Sequence, residues 1–132
     1  MQRALQQLRA ADALRRVKEM ESQDDDQQEK YVSYVNGLPA TILINGLGQA
    51  AATLLSAAKG IKSDPHYFLY RHLQLWLCRE EKEAPYAGAG DLMQAIVDGE
   101  RGTYQRAQVE ALAWLEWVKK FANAYLKKGV KR

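Results

Sequence analysis

The chain contains very little cysteine and no long hydrophobic run. Cys78 is the only cysteine among 132 residues, so no intramolecular disulfide can form, and its apolar surroundings beside Trp76 and Leu77 favour a buried thiol. Residues 1–10 lack the apolar core of a signal peptide. No segment approaches the ~20 consecutive apolar residues of a membrane span. We therefore expect a soluble protein of the reducing cytoplasm, without membrane contact.

A large excess of charge is also missing. The chain has 19 Lys and Arg against 16 Asp and Glu, but four of the basic residues lie in its last six positions. Residues 1–126 therefore carry 15 basic and 16 acidic side chains and are close to neutral. The excess forms a basic tail at 127–132, of a kind that is typically disordered unless packing holds it. Any nucleic-acid binding must depend on local patches.

Proline is scarce, and the periodicity of apolar residues is helical. Apolar residues make up 47% of the chain and charged residues 27%, which is ordinary globular usage, and 132 residues suit one domain over 1–132. No stretch alternates apolar and polar residues as a strand would. The sequence predicts an all-α fold, a compact bundle of five to six helices joined by short loops.

Residues that start or end helices set the predicted helix bounds. Proline and glycine end or begin helices, and aspartate caps their N-terminal N–H groups. Pro39 predicts a kink or tight corner between the second and third helices. Asp64 and Asp91 predict helix starts, and the acidic run at 24–26 is interpreted as a solvated loop that supplies helix N-caps, in preference to an ion site. The predicted helices are Gln2–Glu21, a second through Tyr31 and ending near Leu38, then Pro39–Ala58, Pro65–Glu83, a short one after Asp91, and Tyr104–Tyr125.

No catalytic or metal-binding pattern is apparent. His66 and His72 are six residues apart, about 120° out of alignment on a helix, so they are poor joint ligands for a metal. Neither Cys78 nor a serine has a local partner for nucleophilic catalysis. The glycines of 45–49 lack the lysine and the preceding strand of a phosphate-binding loop. We expect no cofactor and no enzymatic activity.

The same glycines raise a question about packing. Gly46 and Gly48 lie within the predicted third helix, where each costs roughly 1 kcal/mol relative to alanine. A close approach of another backbone would offset this cost. The close approach could come from tight packing inside the domain or from contact with a partner, and the sequence leaves both alternatives open.

Two surfaces mix apolar and basic side chains. On the predicted fourth helix, Arg71, Arg79 and Lys82 share about 80° of arc, with Phe68 and Leu75 beside them. Such a mixture suits a partner protein or a nucleic-acid backbone.

On the last helix, Trp117 points away from the core stripe towards Arg106, Lys120 and Lys128. Its ring could stack on a base, fill a partner's pocket, or be covered by a neighbouring helix. Arg9 and Arg16 share one face of the first helix, where simple solvation is an equal alternative.

The order of motifs through the chain resembles one known family. Its segments are Tyr31–Val35, Leu38–Ile42, Asn45–Ala50, Tyr67–Leu77 with the form Tyr-x-Leu-Tyr-x-x-Leu-x-x-Trp-Leu, and Leu112–Leu126. This sequence is similar to the small helical subunit of the Cmr complex, the type III-B CRISPR effector. The string from Leu-Pro to Asn-Gly-Leu-Gly-Gln is its most specific part.

The resemblance implies a non-catalytic subunit, present in several copies along the interior of a ribonucleoprotein used in antiviral defence. Its partners would be the other subunits, further copies of itself, guide RNA and target RNA. The family has no fixed RNA-binding motif, so the candidates come from helical faces. The candidates for the RNA backbone are Arg9, Arg16, Lys18, Arg71, Arg79, Lys82, Arg106, Lys119, Lys120, Lys127 and Lys128. The candidates for subunit interfaces are Gly46, Gly48, Phe68, Leu75 and Trp117. The alternative is a helical adaptor between proteins that does not contact nucleic acid.

Overall fold

The structure is a computed structural model that describes residues 4–129. Six helices form the regular structure of that range, which contains no strand. They are α1 Leu5–Met20, α2 Asp25–Asn45, α3 Leu47–Ala58, α4 Pro65–Leu77, α5 Leu92–Asp98 and α6 Arg101–Tyr125. The predicted all-α bundle of five to six helices is confirmed. The start of the predicted first helix, at 2–3, and the end of the basic tail, at 130–132, lie outside the described residues.

The longest helix, α6, organises the bundle. Its buried stripe includes Trp114, Leu115 and Val118, and it packs against α1, α2, α3 and α4. Side-chain contacts between α2 and α6 pair Gln28 with Lys127 and Asn36 with Asn123, so their numbers change in opposite directions. The two helices are therefore antiparallel, and their exposed edges form a groove.

Helix α2 does not end at Pro39, so the tight corner predicted there is wrong. The helix spans the 21 residues Asp25–Asn45 and has Pro39 in its interior. Proline inside a helix removes one backbone hydrogen bond and costs ~3 kcal/mol. Leu38 and Ile42, on either side, are both buried in the core, and burying two such side chains outweighs that cost.

The break comes at Gly46, between α2 and α3. Its backbone has φ 88° and ψ 158°, a combination that is essentially restricted to glycine. The N–H of Leu47 donates to Gln108 Oε1 at 3.0 Å, and the N–H of Gly48 donates to the Tyr104 hydroxyl at 2.9 Å. Two side chains of α6 thus satisfy the free N–H groups at the start of α3.

Helix α4 is shorter than predicted. It ends at Leu77 and is followed by a loop that reaches α5, whereas the sequence predicted a helix to about Glu83. The loop folds back onto the helix end: the N–H of Tyr86 donates to the Leu77 carbonyl, and that of Gly88 donates to the Cys78 carbonyl. These bonds satisfy carbonyl groups that a longer helix would have used.

The predicted capping aspartates are confirmed. Asp24 accepts from the N–H of Gln27 at the start of α2, and Asp64 accepts from the N–H of His66 at the start of α4. Asp91 does the same at α5 and also accepts from the Tyr70 hydroxyl. The acidic run at 24–26 therefore supplies a helix cap, as expected, but Asp25 and Asp26 lie in the first turn of α2 and not in a loop.

Candidate nucleic-acid interface

The predicted basic residues of α1 are engaged inside the molecule. Arg9 donates to both carboxylate oxygens of Glu110 on α6, at 2.6 and 2.9 Å, and its side chain is only 16% exposed. Glu110 and its hydrogen bonds raise the pKa of this guanidinium above its usual value. Arg16 is buried and donates to Asp12 and Glu19. Arg9 thus links α1 to α6, whereas both carboxylate partners of Arg16 lie on α1 itself. Both arginines were candidates for the RNA backbone.

Arg79 is similarly engaged. Its guanidinium lies 3.7 Å above the Trp76 ring, donates to the Trp76 carbonyl and pairs with Glu81 at 2.6 Å. Because α4 ends at Leu77, Arg79 and Lys82 do not lie on a helix with Arg71. The predicted common arc on the fourth helix is therefore wrong, although Arg71 and Lys82 are individually exposed.

The apolar candidates are partly covered by the domain itself. Phe68 is half-buried against the core, and Leu75 is half-buried as well. Trp117 packs against the core, its N–H donates to Gln6 of α1 at 3.3 Å, and its ring lies beside Phe121. A neighbouring helix covers Trp117, which was one of the alternatives open from the sequence.

The two glycine candidates also have partners within the chain. A Cβ atom at Gly46 would lie 2.9 Å from the Tyr104 hydroxyl oxygen, and one at Gly48 would lie 3.5 Å from Ile96 and from the same hydroxyl. The atoms nearest to both Cβ positions belong to side chains of the same domain, whereas the sequence suggested the approach of another backbone.

The remaining basic candidates gather at one end of α6. Lys119, Lys127 and Lys128 are exposed, and none has a carboxylate partner in the range 4–129. Lys120 pairs with Glu116 on the solvent face, at 3.4 Å. Of these four lysines, Lys128 lines the groove between α2 and α6.

Two further candidates, Lys18 and Arg106, are exposed but do not belong to this group. Lys18 has its ammonium 4.1 Å above the Tyr125 ring and 3.8 Å from Glu21. Arg106 lines a separate open cleft with Leu5 and Val109. Neither is part of the groove between α2 and α6.

This groove, which we call the α2–α6 groove, is an open cleft of about 750 Å³. Its lining residues are Glu29, Lys30, Val32, Ser33, Tyr34, Asn36, Asn123, Lys128 and Gly129. Asn123 donates to Asn36 at 2.8 Å and to the Lys119 carbonyl at 2.7 Å, so the two amides are fixed on the groove floor. Amide, hydroxyl and ammonium groups are the usual partners of phosphate and sugar oxygens.

Sequence reasoning found the basic end of this groove but missed its other side. Lys119, Asn123 and Lys127 are spaced four apart, and this spacing could have placed Asn123 between the two lysines. Lys30 and Asn36 gave no such signal, because their side of the groove is formed by a helix 83 or more residues earlier in the chain. Lys30 also has a carboxylate neighbour, Asp26 at 3.0 Å.

The titratable groups of the core have structural roles. His72 Nδ1 lies 2.8 Å from the Tyr31 hydroxyl, and its other ring nitrogen is 3.5 Å from Glu19. Burial, with the charges of Arg16 and Arg71, lowers the pKa of His72 to about 3, so the ring is neutral at pH 7. His66 stacks on Tyr34 at 3.7 Å between ring centres.

Burial also raises the pKa of the Cys78 thiol to about 11, which keeps it protonated. Residues 4–129 contain no group of three or more His, Cys, Asp or Glu side chains arranged to hold a metal ion. Within the same range no helix is long and apolar enough to cross a membrane.

The fold and this surface define a class, the small all-α proteins that carry a polar and basic groove between two antiparallel helices. A family model described as CRISPR-associated protein (Cas_Cmr5) matches residues 5–125. This match covers nearly the whole chain, so the chain belongs to that family and is a Cmr subunit of a CRISPR complex. The resemblance seen in the sequence is confirmed.

Proposed function

We propose that this protein is a non-catalytic small subunit of a type III-B CRISPR RNA-guided effector that acts in cytoplasmic antiviral defence. It lines the groove along the duplex of guide RNA and target RNA. Its partners are the other subunits of the effector, further copies of itself and the two RNA strands. Membership of the Cas_Cmr5 family supports the assembly.

The observation that supports RNA contact is the α2–α6 groove. Lys128 lines the groove, and Lys119 and Lys127 supply further positive charge without a carboxylate partner in the described residues. The amides of Asn36 on α2 and Asn123 on α6 join the two sides of the groove. These groups contact phosphate and sugar oxygens and do not read bases. Binding is therefore independent of sequence, and base pairing with the guide supplies specificity.

Only a few phosphates can be neutralised by such a small basic group. The body of the protein is close to neutral, so the isolated subunit binds RNA weakly. In the assembly several copies and other subunits contact the same strand, and the contacts add through a high effective concentration. The salt dependence of target RNA binding then reports the number of phosphates contacted.

The test is charge reversal in the assembled complex. The double variant Lys119→Glu and Lys128→Glu should weaken target RNA binding at least tenfold and reduce the salt slope by ~1 or more. The matched control is Lys59→Glu with Lys62→Glu, two exposed lysines in the connection between α3 and α4. We expect the control to bind RNA within about twofold of the wild type.

Two results would contradict this assignment. Equal RNA binding by the groove variant and the control would remove the groove from the RNA interface. Co-purification of the native protein with protein partners but without guide RNA would leave the helical adaptor as the better function.

A further inference from the structure

Two asparagine side chains meet in the α2–α6 groove, and both line it. Asn123 on α6 donates through Nδ2 to Asn36 Oδ1 on α2 at 2.8 Å and to the Lys119 carbonyl at 2.7 Å. The return contact, from Asn36 Nδ2 to Asn123 Oδ1, is 3.5 Å long. A hydrogen bond of that length is weak, so the pair is closed on one side and open on the other. We call Asn36 and Asn123 the amide clasp.

The orientation of both amides is determined by these bonds. If the Asn123 amide were turned over, its oxygen would face the carbonyl oxygen of Lys119, and two acceptors would repel each other. Nδ2 of Asn123 therefore lies beside Lys119, and Asn36 presents Oδ1 to it. The atoms left on the open side are Asn36 Nδ2, which is a donor, and Asn123 Oδ1, which is an acceptor.

These two atoms have no better partner within residues 4–129. The only hydrogen bond of Asn36 Nδ2 in that range is the 3.5 Å contact, and the same is true of Asn123 Oδ1. An N–H group of Asn36 and a lone pair of Asn123 are therefore available to a ligand. Ser33 and Lys128 line the same groove, so a ligand held there lies beside the amide clasp.

The chemistry of the open side favours a hydroxyl group over a phosphate. A phosphate oxygen only accepts hydrogen bonds, and its negative charge would lie next to the amide oxygen of Asn123. A hydroxyl group both accepts and donates, so one oxygen can accept from Asn36 Nδ2 and donate to Asn123 Oδ1. Phosphates have a separate partner in Lys119, one helical turn before Asn123 and about 6 Å away along the axis of α6.

We propose that the amide clasp binds a ribose 2′-hydroxyl group of the RNA strand in the groove and thereby distinguishes RNA from DNA. This inference rests on the proposed function, because it takes the α2–α6 groove as an RNA site. The 2′-hydroxyl is both donor and acceptor, and DNA lacks it. Asn36 and Asn123 are therefore specificity-determining residues for the sugar, whereas Lys119 and Lys128 add affinity for any phosphate backbone.

Recognition of this kind reads the sugar and not the base. The 2′-hydroxyl is the same in all four ribonucleotides, so the contact agrees with binding that is independent of sequence. Helices of RNA display their 2′-hydroxyl groups in the wide, shallow minor groove, away from the paired base edges. The amide clasp therefore contacts a strand that is paired with its complement, and base pairing is not disturbed.

The test removes single 2′-hydroxyl groups from RNA bound to the assembled complex. Target strands with one deoxynucleotide at successive positions compete with an all-ribose target. In the wild-type complex we expect about fivefold weaker binding at the positions that face the clasp, since two hydrogen bonds are lost. In complexes with Asn36→Ala the same positions should cost less than twofold. A second scan places the deoxynucleotides in the guide strand, and the two scans identify which strand the clasp binds.

The matched control is Asn45→Ala. Asn45 is an exposed asparagine of the same helix and does not line the groove. Complexes with this variant should keep the full cost of each deoxynucleotide. Asn36 is exposed as well, so both variants should fold and give the circular dichroism spectrum of the wild type. Any effect of the deoxynucleotide on the duplex itself is common to all three complexes and cancels in the comparison.

Equal costs in the wild-type and Asn36→Ala complexes, at every position of both strands, would overturn the inference. The proposed function has its own readout, the salt slope of the variant Lys119→Glu with Lys128→Glu. If that slope falls while Asn36→Ala changes no deoxynucleotide cost, the groove contacts RNA and the clasp fails alone. If neither the slope nor any deoxynucleotide cost changes, the groove is not an RNA site, and the proposed RNA contact fails together with the clasp.

Discussion

Gly37, inside α2, and Gly46, at the C-terminal end of α2, should respond in opposite ways to substitution by alanine. Gly46 has φ 88° and ψ 158°, and a Cβ atom there would lie 2.9 Å from the Tyr104 hydroxyl oxygen. Gly37 has helical geometry and open space around its Cβ position. Gly46→Ala should therefore destabilise the protein, and Gly37→Ala should stabilise it.

The magnitudes come from separate contributions. Alanine in the backbone region of Gly46 costs about 1–3 kcal/mol. Displacement of Tyr104 weakens its bond to the N–H of Gly48, which contributes about 1 kcal/mol. The free energy of unfolding should fall by about 2–4 kcal/mol for Gly46→Ala and rise by about 0.5–1 kcal/mol for Gly37→Ala.

The assay is urea and thermal unfolding of the isolated protein, followed by circular dichroism. At the size of this chain, Gly46→Ala should lower Tm by about 10 °C and Gly37→Ala should raise it by a few degrees. Adding Tyr104→Phe to Gly46→Ala separates backbone strain from the clash, because the phenylalanine removes only the clashing oxygen. Shifts of both single variants in the same direction would refute the reasoning.

Three further outcomes follow from buried polar contacts. Tyr104→Phe alone leaves the N–H of Gly48 without its acceptor and should cost ~1 kcal/mol in urea unfolding, while RNA binding by the complex is unchanged. Arg9→Met removes the guanidinium partner of the Glu110 carboxylate, whose side chain is only 13% exposed. The free energy of unfolding should fall by ~2 kcal/mol, and the salt slope of RNA binding should not change. The pKa of His72 is 6.5 in the unfolded chain and about 3 in the folded protein, so between these pH values the unfolded chain binds a proton that the folded protein does not. The free energy of unfolding should therefore fall as the pH falls from 6.5 to 3, by at most ~1.4 kcal/mol per pH unit. His72→Gln should flatten that dependence in melting curves from pH 7 to 4, and an unchanged slope would exclude the histidine as its source.

Local signals of the sequence were sufficient for much of the fold. The apolar period of α6 and the capping aspartates Asp24, Asp64 and Asp91 depend on hydrogen bonds and packing within one or two helical turns. Because these interactions are short in sequence, their outcome can be read from neighbouring residues. The corner at Pro39 failed for the opposite reason, since burial against distant helices outweighed a local preference.

The candidate site was less accessible to sequence reasoning. Arg16 has its acceptor Asp12 four residues away, and that pairing was visible in the sequence. The acceptor of Arg9 is Glu110, 101 positions later in the sequence, so the neutralisation of Arg9 could not be predicted from the first helix alone. Lys119, Lys127 and Lys128 remain candidates for RNA contact because no carboxylate partner reaches them in the described residues.

The pairing of α1 with α6 bears on how the chain folds during synthesis. The contacts that fasten α1, from Arg9 to Glu110 and from Asp12 to Trp114, join residues 101 and 102 positions apart. During synthesis α1 must therefore wait for α6 before Ala13 and Val17 are covered. Native packing of α1 requires that α6 has been synthesised, and a chain truncated before α6 exposes an apolar stripe that favours aggregation.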